Sequence, residues 1–282
     1  MIGVYGDNCI DRYVRPLPTE FIGGNAVNVA VHLARLGAQV GYFGVLGNDF
    51  EGRTIRRVLS ACGVCCSNLE IREGPTAVTW IEVRDGERIV LDDDVGVQCP
   101  LFLSEQSRQV LAACSHVHCT AFTSWHIDWS AACPRIVDEI QYLAARGKFV
   151  SVDFSELTQP GLARILGPNL SLAFVSRGSS CTTSELEQTF RFFHDCGIPR
   201  VVVTLGARGA AYRGPDVQME APAAPIKPVD TLGAGDAFIA GWLFGAAQGW
   251  DTRTTLRQAT TEAAQTCLYQ GAWPGAFIGK ET

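Results

Sequence analysis

The chain has 282 residues, 47% of them hydrophobic and 18% charged, which suffices to bury a sizeable core in one large domain with at most a small appendage. Its formal net charge is −6 and no block of Lys or Arg stands out, which argues against a track for nucleic-acid phosphates or anionic lipid. The opening MIGVYGDNCI lacks the basic and long apolar regions of a leader, and no later run approaches the roughly 20 apolar residues of a membrane span, so the expectation is a cytoplasmic enzyme with neither a nucleic acid nor a membrane as partner.

Ile2 to Gly6 reads as a short buried strand that ends at polar Asp7 and Asn8, the kind of strand end where α/β proteins gather functional groups. Residues 12–20 read as a first excursion from the main fold. From Asn25 to Leu36, apolar Val29, Ala30, Leu33 and Leu36 recur at helical spacing, and Gly37 supplies a left-handed stop. Val40 to Leu46 is the next strand. Residues 68–98 are a second excursion: Thr76 to Val83 is β-rich, Asp85-Gly86 is a hairpin turn, and Arg88 to Leu91 resumes as a strand. Later, Phe149 to Val152, Leu172 to Val175 and Val201 to Leu205 are short apolar runs separated by helix-length segments, the pattern of βαβ units and a parallel sheet. The expectation is one α/β domain over 1–282 with a small β appendage from 12–20 and 68–98. Such a flap would close over a site, and its exposed strands offer pairing between two chains in a homodimer.

The eleven cysteines are dispersed in a chain much longer than disulfide-stapled miniproteins, so most are expected to be reduced thiols. Cys62 and Cys65 form a C-x-x-C, and His116, His118 and Cys119 lie close together. A structural zinc site, however, presents two paired ligand clusters, and small thiols at the end of a helix-like segment, where Cys62 and Cys65 fall, are ordinary core.

The most informative stretch is Val229 to Asp236, followed by a helical run from Ala237 to Phe244. It places a Gly-rich turn at a helix N-terminus, where unpaired backbone N–H groups and the helix dipole favour an anion and Gly233 and Gly235 let it come close. Asp236 is out of place there, since a carboxylate repels phosphate unless it has another task, such as accepting the proton of an attacking hydroxyl. The conjunction points to phosphoryl transfer, although an isolated G-x-G-D is equally a helix-start carboxylate on the dipole. The spacing is neither a phosphate-binding loop of the G-x-x-x-x-G-K-[ST] type nor the dinucleotide G-x-G-x-x-G, because Phe238 takes the third glycine position.

Asp230-Thr231-Leu232-Gly233-Ala234-Gly235-Asp236 resembles the D-T-x-G-A-G-D signature of the ribokinase family of sugar kinases, and Gly23-Gly24-Asn25-Ala26-Val27-Asn28-Val29-Ala30 resembles its N-terminal signature. Val202 to Gly209 is similar to the family's strand and turn over the nucleotide, and Gly6-Asp7 to its first-strand terminus. The resemblance implies a three-layer α/β/α domain with a small β-sheet lid. It implies ATP and Mg2+ as cofactors and a monovalent cation such as K+. Position by position, it makes Asp236 the general base and the backbone N–H groups of Gly233, Ala234, Gly235 and Asp236 the anion hole. Asp7, Gly24, Asn25 and Asn28 become sugar contacts, Thr204 and Gly206 nucleotide contacts, and Asp230 and Thr231 neighbours of the cation and nucleotide loops. The further matches at Asp7-Asn8-Cys9, Asp153-Phe154-Ser155 and Gly271-Ala272-Trp273 resemble members that act on fructosamines. This implies transfer to O6 of fructoselysine or a related fructosamine as the small-molecule substrate, with Asp92, Asp93, Asp94 and Trp80 offering contacts to its cationic part. A plain ketose, ribose or a nucleoside as acceptor, and a catalytically silent sugar-binding regulator, stay open.

Two departures from the family pattern stand out. Where many relatives carry N-x-x-E after a central strand, Phe174 to Ser179 offers neither residue, and D-x-N-x-R is replaced by Asp153-Phe154-Ser155-Glu156-Leu157. The protein ligands of Mg2+ are therefore unassigned, with Glu185 or Asp153 acting through water.

Overall fold

The computed structural model describes residues 1–15, 18–84, 87–98, 101, 103–120, 134–156 and 160–279. The chain starts with β1 (Ile2–Tyr5), crosses into β2 (Cys9–Arg15) and β3 (Thr19–Gly23), and enters α1 (Asn25–Arg35). Next come β4 (Val40–Phe43), β5 (Val45–Gly47), α2 (Phe50–Ala61), β6 (Glu70–Arg72), β7 (Val78–Arg84) and β8 (Glu87–Asp94). From α3 (Glu105–Ala113) helices and strands alternate through β9 (His116–Thr120), α4 (Pro134–Ala144), β10 (Phe149–Asp153), α5 (Pro160–Leu166), β11 (Leu172–Ser176), α6 (Thr183–Asp195) and β12 (Val201–Thr204). β13 (Ala210–Arg213), β14 (Gln218–Ala221), α7 (Ala234–Ala247) and α8 (Thr252–Thr266) complete it.

The main sheet has the order β14-β13-β12-β11-β10-β9-β1-β4. Its strands are parallel except at one edge, where β12, β13 and β14 pair antiparallel. The parallel expectation is corrected there for a simple reason. Only a few residues join these strands, and a parallel return needs a crossover of a dozen or more. Alternation along the strands feeds two cores: Leu172, Phe174 and Val202 face one side with α1, α7 and α8, while Ala173, Val175, Val201 and Val203 face the other with α3 to α6. The result is three layers, helix on sheet on helix.

A second, four-stranded sheet stands apart, in the order β3-β2-β7-β8. It takes in residues 9–15, 19–23, 78–84 and 87–94, and so starts earlier and ends later at the first excursion than the expected 12–20. The 68–98 excursion is corrected at its start, because β6 pairs parallel with β5 in a separate two-stranded sheet. The strand expected over Val40 to Leu46 is accordingly broken at Gly44, its first half in the main sheet and its second half on β6. The expected Asp85-Gly86 turn lies outside the described residues.

Two connections tie the second sheet to the main domain. Asn8 leaves β1 and Gln98 follows β8, and they bond reciprocally: the Asn8 N–H donates to Gln98 Oε1 at 3.0 Å and Gln98 Nε2 donates to the Asn8 carbonyl. At the other end, the Ile22 N–H donates to the Ala276 carbonyl at 2.8 Å and the Ile278 N–H to the Glu20 carbonyl at 2.9 Å. The segment after α8 is thereby sewn onto the β3 edge.

Candidate active site

Asp7, just beyond β1, is buried, and its carboxylate collects the start of α1. Oδ2 accepts from the Asn25 N–H at 2.7 Å, and Oδ1 accepts from the Ala26 N–H at 3.1 Å and from Thr120 Oγ1 at 2.7 Å. An acid at a helix N-terminus satisfies orphan amides and the dipole together. Gly24 is required at this crossing: its φ is 101°, and a Cβ there would lie 2.5 Å from the Asn8 Cα. Asn25 is exposed with its side chain at the cavity, whereas Asn28, one helical turn on, is buried.

The start of α7 faces α1. Gly233 takes φ 72° over Ala272, where a Cβ would come within 2.7 Å of the Ala272 Cβ. The Ala234 N–H points at the Thr231 carbonyl, 3.3 Å away, and the first helical bond is the Ala237 N–H to the Gly233 carbonyl at 2.8 Å. Gly235 and Asp236 thus lie in the turn whose amides lack intrahelical acceptors. Gly235 has open space where a Cβ would stand. Asp230 braces the loop, its carboxylate accepting from the Leu232 N–H and the Gly271 N–H, each at 3.0 Å.

Asp236 is 8% exposed, and its Oδ2 accepts from Asn28 Nδ2 at 2.9 Å. Burial pushes its carboxyl well above the usual carboxylate range, the Asn28 N–H opposes this, and the charges of Asp153, Asp7 and Asp11 add to it. Asp153 is likewise raised, to about 6, chiefly by burial. Beside it Ser155 adopts φ 47°, and its N–H donates to Asp153 Oδ1 at 2.9 Å. A left-handed serine is strained, and this one sits in the cavity wall.

The cavity has a volume of about 500 Å3 and joins these groups. Asp7, Gly24, Asn25, Asn28, Gly233, Gly235, Asp236, Asp153, Ser155 and Thr204 line it from the main domain, and Cys9, Asp11, Thr79, Ile81, Val90 and Asp93 line it from the second sheet. Six carboxylates, those of Asp7, Asp11, Asp93, Asp153, Glu156 and Asp236, border it, and its described lining holds no Lys or Arg.

Some expected residues fall elsewhere. Ala234, Gly206, Asp230 and Thr231 are not on the described lining; Gly206 turns the chain after β12 at φ 54°. Trp80 is also off the lining, with the Arg12 guanidinium 6.0 Å from its ring centre. Glu185 is engaged in a capping box with Thr182 at the start of α6. Of the zinc candidates, Cys65 is exposed after α2, while His118 is buried in β9 against Ser151. Among the described residues no group of three or more His, Cys, Asp or Glu is arranged to hold a metal ion. Sequence reasoning missed Asp11, Thr79 and Thr120 as site residues and gave Trp273 no role, because each reaches the site through the tertiary fold. Among the described residues no helix is long and apolar enough to cross a membrane.

The buried Asp236 carboxylate thus stands beside a Gly-rich helix start, in a cleft between a three-layer domain and a small sheet. The chain belongs to the pfkB family of carbohydrate kinases, whose model matches residues 17–275. It is 36% identical to fructoselysine 6-kinase of Escherichia coli strain K12 over 273 residues, 96% of this chain and 99% of that one. It is 32% identical to fructosamine kinase FrlD of Bacillus subtilis strain 168, covering 95% of this chain and 91% of the relative. The fold is ribokinase-like: the structure of Arabidopsis thaliana ribokinase with ribose and ATP superposes with a TM-score of 0.82 at 20% identity, covering 96% of this chain and 93% of that one.

Proposed function

We propose that the protein transfers the γ-phosphoryl group of ATP to O6 of a fructosamine, fructoselysine foremost. The observation that carries this is Asp236, held by Asn28 at the first turn of α7 in a cavity bordered by six carboxylates. Asp236 takes the proton of the acceptor hydroxyl as its oxygen bonds to the γ-phosphorus, and the bond from that phosphorus to the bridging oxygen breaks, releasing ADP. The amides at the start of α7 stabilise the charge on the moving group, and Thr204 lies on the nucleotide side. Asp7, Gly24, Asn25 and Asn28 hold the sugar; each Asp7 oxygen has two lone pairs, and Oδ2 spends one on Asn25. The carboxylate-rich lining suits an acceptor that carries ammonium groups and disfavours one that is neutral throughout.

Mg2+ fits this donor set, because Asp153 presents a hard carboxylate oxygen whose burial favours neutralisation by a cation. When bound it neutralises charge between the nucleotide phosphates. A K+ ion near Asp230 would brace the same loop that Asp230 ties to Gly271. The four-stranded sheet serves as a lid, and the outer edge of β8, with Val90 45% and Leu91 50% exposed, is where two chains would pair. A cytoplasmic location belongs to this reading, since all nine described cysteines are free thiols.

Asp236→Asn tests the chemistry. It keeps the shape and removes the proton acceptor, so turnover should fall about 10²–10⁴-fold with ATP affinity little changed. Turnover within a few-fold of the parent would remove Asp236 from the mechanism.

A further inference from the structure

Asn28 can serve Asp236 only if its amide is the right way round, and the structure contains a group that decides this. Trp273 is 1% exposed, and its Nε1–H donates to Asn28 Oδ1 at 3.0 Å. An indole N–H is a donor and never an acceptor, so it requires the oxygen end of the amide. The nitrogen end is then left for Asp236, where Nδ2 donates to Oδ2 at 2.9 Å. Trp273 is itself fixed by its neighbours. The Gly271 N–H is held by Asp230, the Ala272 carbonyl accepts from His32 Nε2 at 2.9 Å, and the Trp273 carbonyl accepts from the Ala276 N–H at 3.1 Å. His32 is shifted down to about 4, mainly by burial, so this anchor stays neutral through the working range.

Resting on the reading of Asp236 as the base, we propose that Trp273 is a positioning residue for phosphoryl transfer, acting through Asn28 to aim an N–H at the Asp236 carboxylate. Without the indole N–H, the Asn28 amide is free to turn its oxygen toward Asp236 and accept a hydrogen bond from the protonated acid. That arrangement stabilises the form of Asp236 that cannot take a proton. The groups facing Asp236 from the surrounding elements, Asp153 on β10, Asp7 after β1 and Asp11 on β2, all push toward the same neutral form, as does burial. The Asn28 N–H is the contact that resists them, and Trp273 is what secures it.

The test compares pH profiles of kcat, at saturating ATP and fructoselysine, for the parent, Trp273→Phe, and a protein in which nonsense suppression replaces the Trp273 indole with a benzothiophene. The benzothiophene keeps the ring shape and deletes only the N–H donor. Both replacements should lower kcat about tenfold near neutrality and move its acid limb up by about one pH unit, the worth of one buried hydrogen bond to a titrating group. ADP affinity should stay within about twofold of the parent. If Trp273→Phe fails to fold because of the lost volume, the benzothiophene protein decides alone. An unshifted acid limb in the benzothiophene protein, with Asp236→Asn inactive, overturns the role of Trp273 and leaves the base assignment standing. An active Asp236→Asn removes the base, and this proposal with it.

Discussion

Asp153 illustrates how a single residue trades stability for a site. Its carboxyl is raised to about 6, burial being the first cause, against about 3.9 in an unfolded chain. The folded protein therefore holds the proton more tightly than the unfolded one, and stability falls as pH rises from about 4 to about 6, then levels off. Asp153→Asn removes that loss while its side-chain oxygen still accepts from the Ser155 N–H. The variant should be more stable than the parent at pH 8, by on the order of 2 kcal/mol, and indistinguishable from it near pH 4. Urea unfolding at the two pH values checks this, and a stabilisation equal at both would contradict it. Turnover should fall in the same variant if Asp153 faces the nucleotide and its metal. Nothing in the sequence around Asp153 announced this, since a carboxylate at a strand end reads the same whether solvated or buried. The left-handed Ser155 beside it carried no glycine to mark the turn.

At the scale of elements, the start of α7 separates two glycines that the sequence presents as equivalents. Gly233 needs its positive φ and sits against Ala272, so Gly233→Ala should destabilise the protein by about 2–4 kcal/mol, from left-handed strain plus overpacking. At Gly235 a Cβ meets open cavity at an ordinary helical φ. Gly235→Val should therefore fold with a melting temperature near the parent's and still lose most turnover, because its side chain occupies the phosphate's approach. Thermal melts alongside ADP release distinguish the two variants, and a fully active, folded Gly235→Val would remove that amide from the anion hole.

The lid connection makes a second prediction at this scale. Gln98→Ala would strand the buried N–H and carbonyl of Asn8, at a cost of about 2–4 kcal/mol. Hydrogen exchange should quicken first in β2, β7 and β8. Protection unchanged in those strands would show that the reciprocal bond does not hold the lid. The Gly-rich turn at the start of α7 was legible because a tight helix entry of this kind needs particular residue types at fixed spacing. The hinge pairing of Asn8 with Gln98 was not, because two amides 90 residues apart leave no periodic trace. The antiparallel edge was overlooked although Gly214-Pro215-Asp216 carries ordinary turn chemistry between β13 and β14.

For the whole molecule, the architecture explains why function was more readable than geometry. The layered order follows from alternating apolar runs, and the polar end of β1 and the Gly-rich start of α7 follow from their signatures. The lid contributes Asp11 and Asp93 from strands that look, in sequence, like any solvated β-ribbon. Trp80, the conspicuous aromatic of that ribbon, proves to be off the lining, and Asp93 is on it with its Oδ1 accepting from Thr79 Oγ1 at 3.1 Å. A fructosamine acceptor requires that a cavity bordered by carboxylates, with no described cation in its wall, select a substrate bearing ammonium groups. The direct measurement is kcat/KM at saturating ATP for fructoselysine, fructose, ribose and a nucleoside, because discrimination is a difference in transition-state binding. Fructoselysine should lead free fructose and ribose by about tenfold or more, the worth of one charge-assisted contact, and its advantage should shrink in high salt. Ribose or the nucleoside matching or exceeding fructoselysine would contradict the assignment of a fructosamine as substrate.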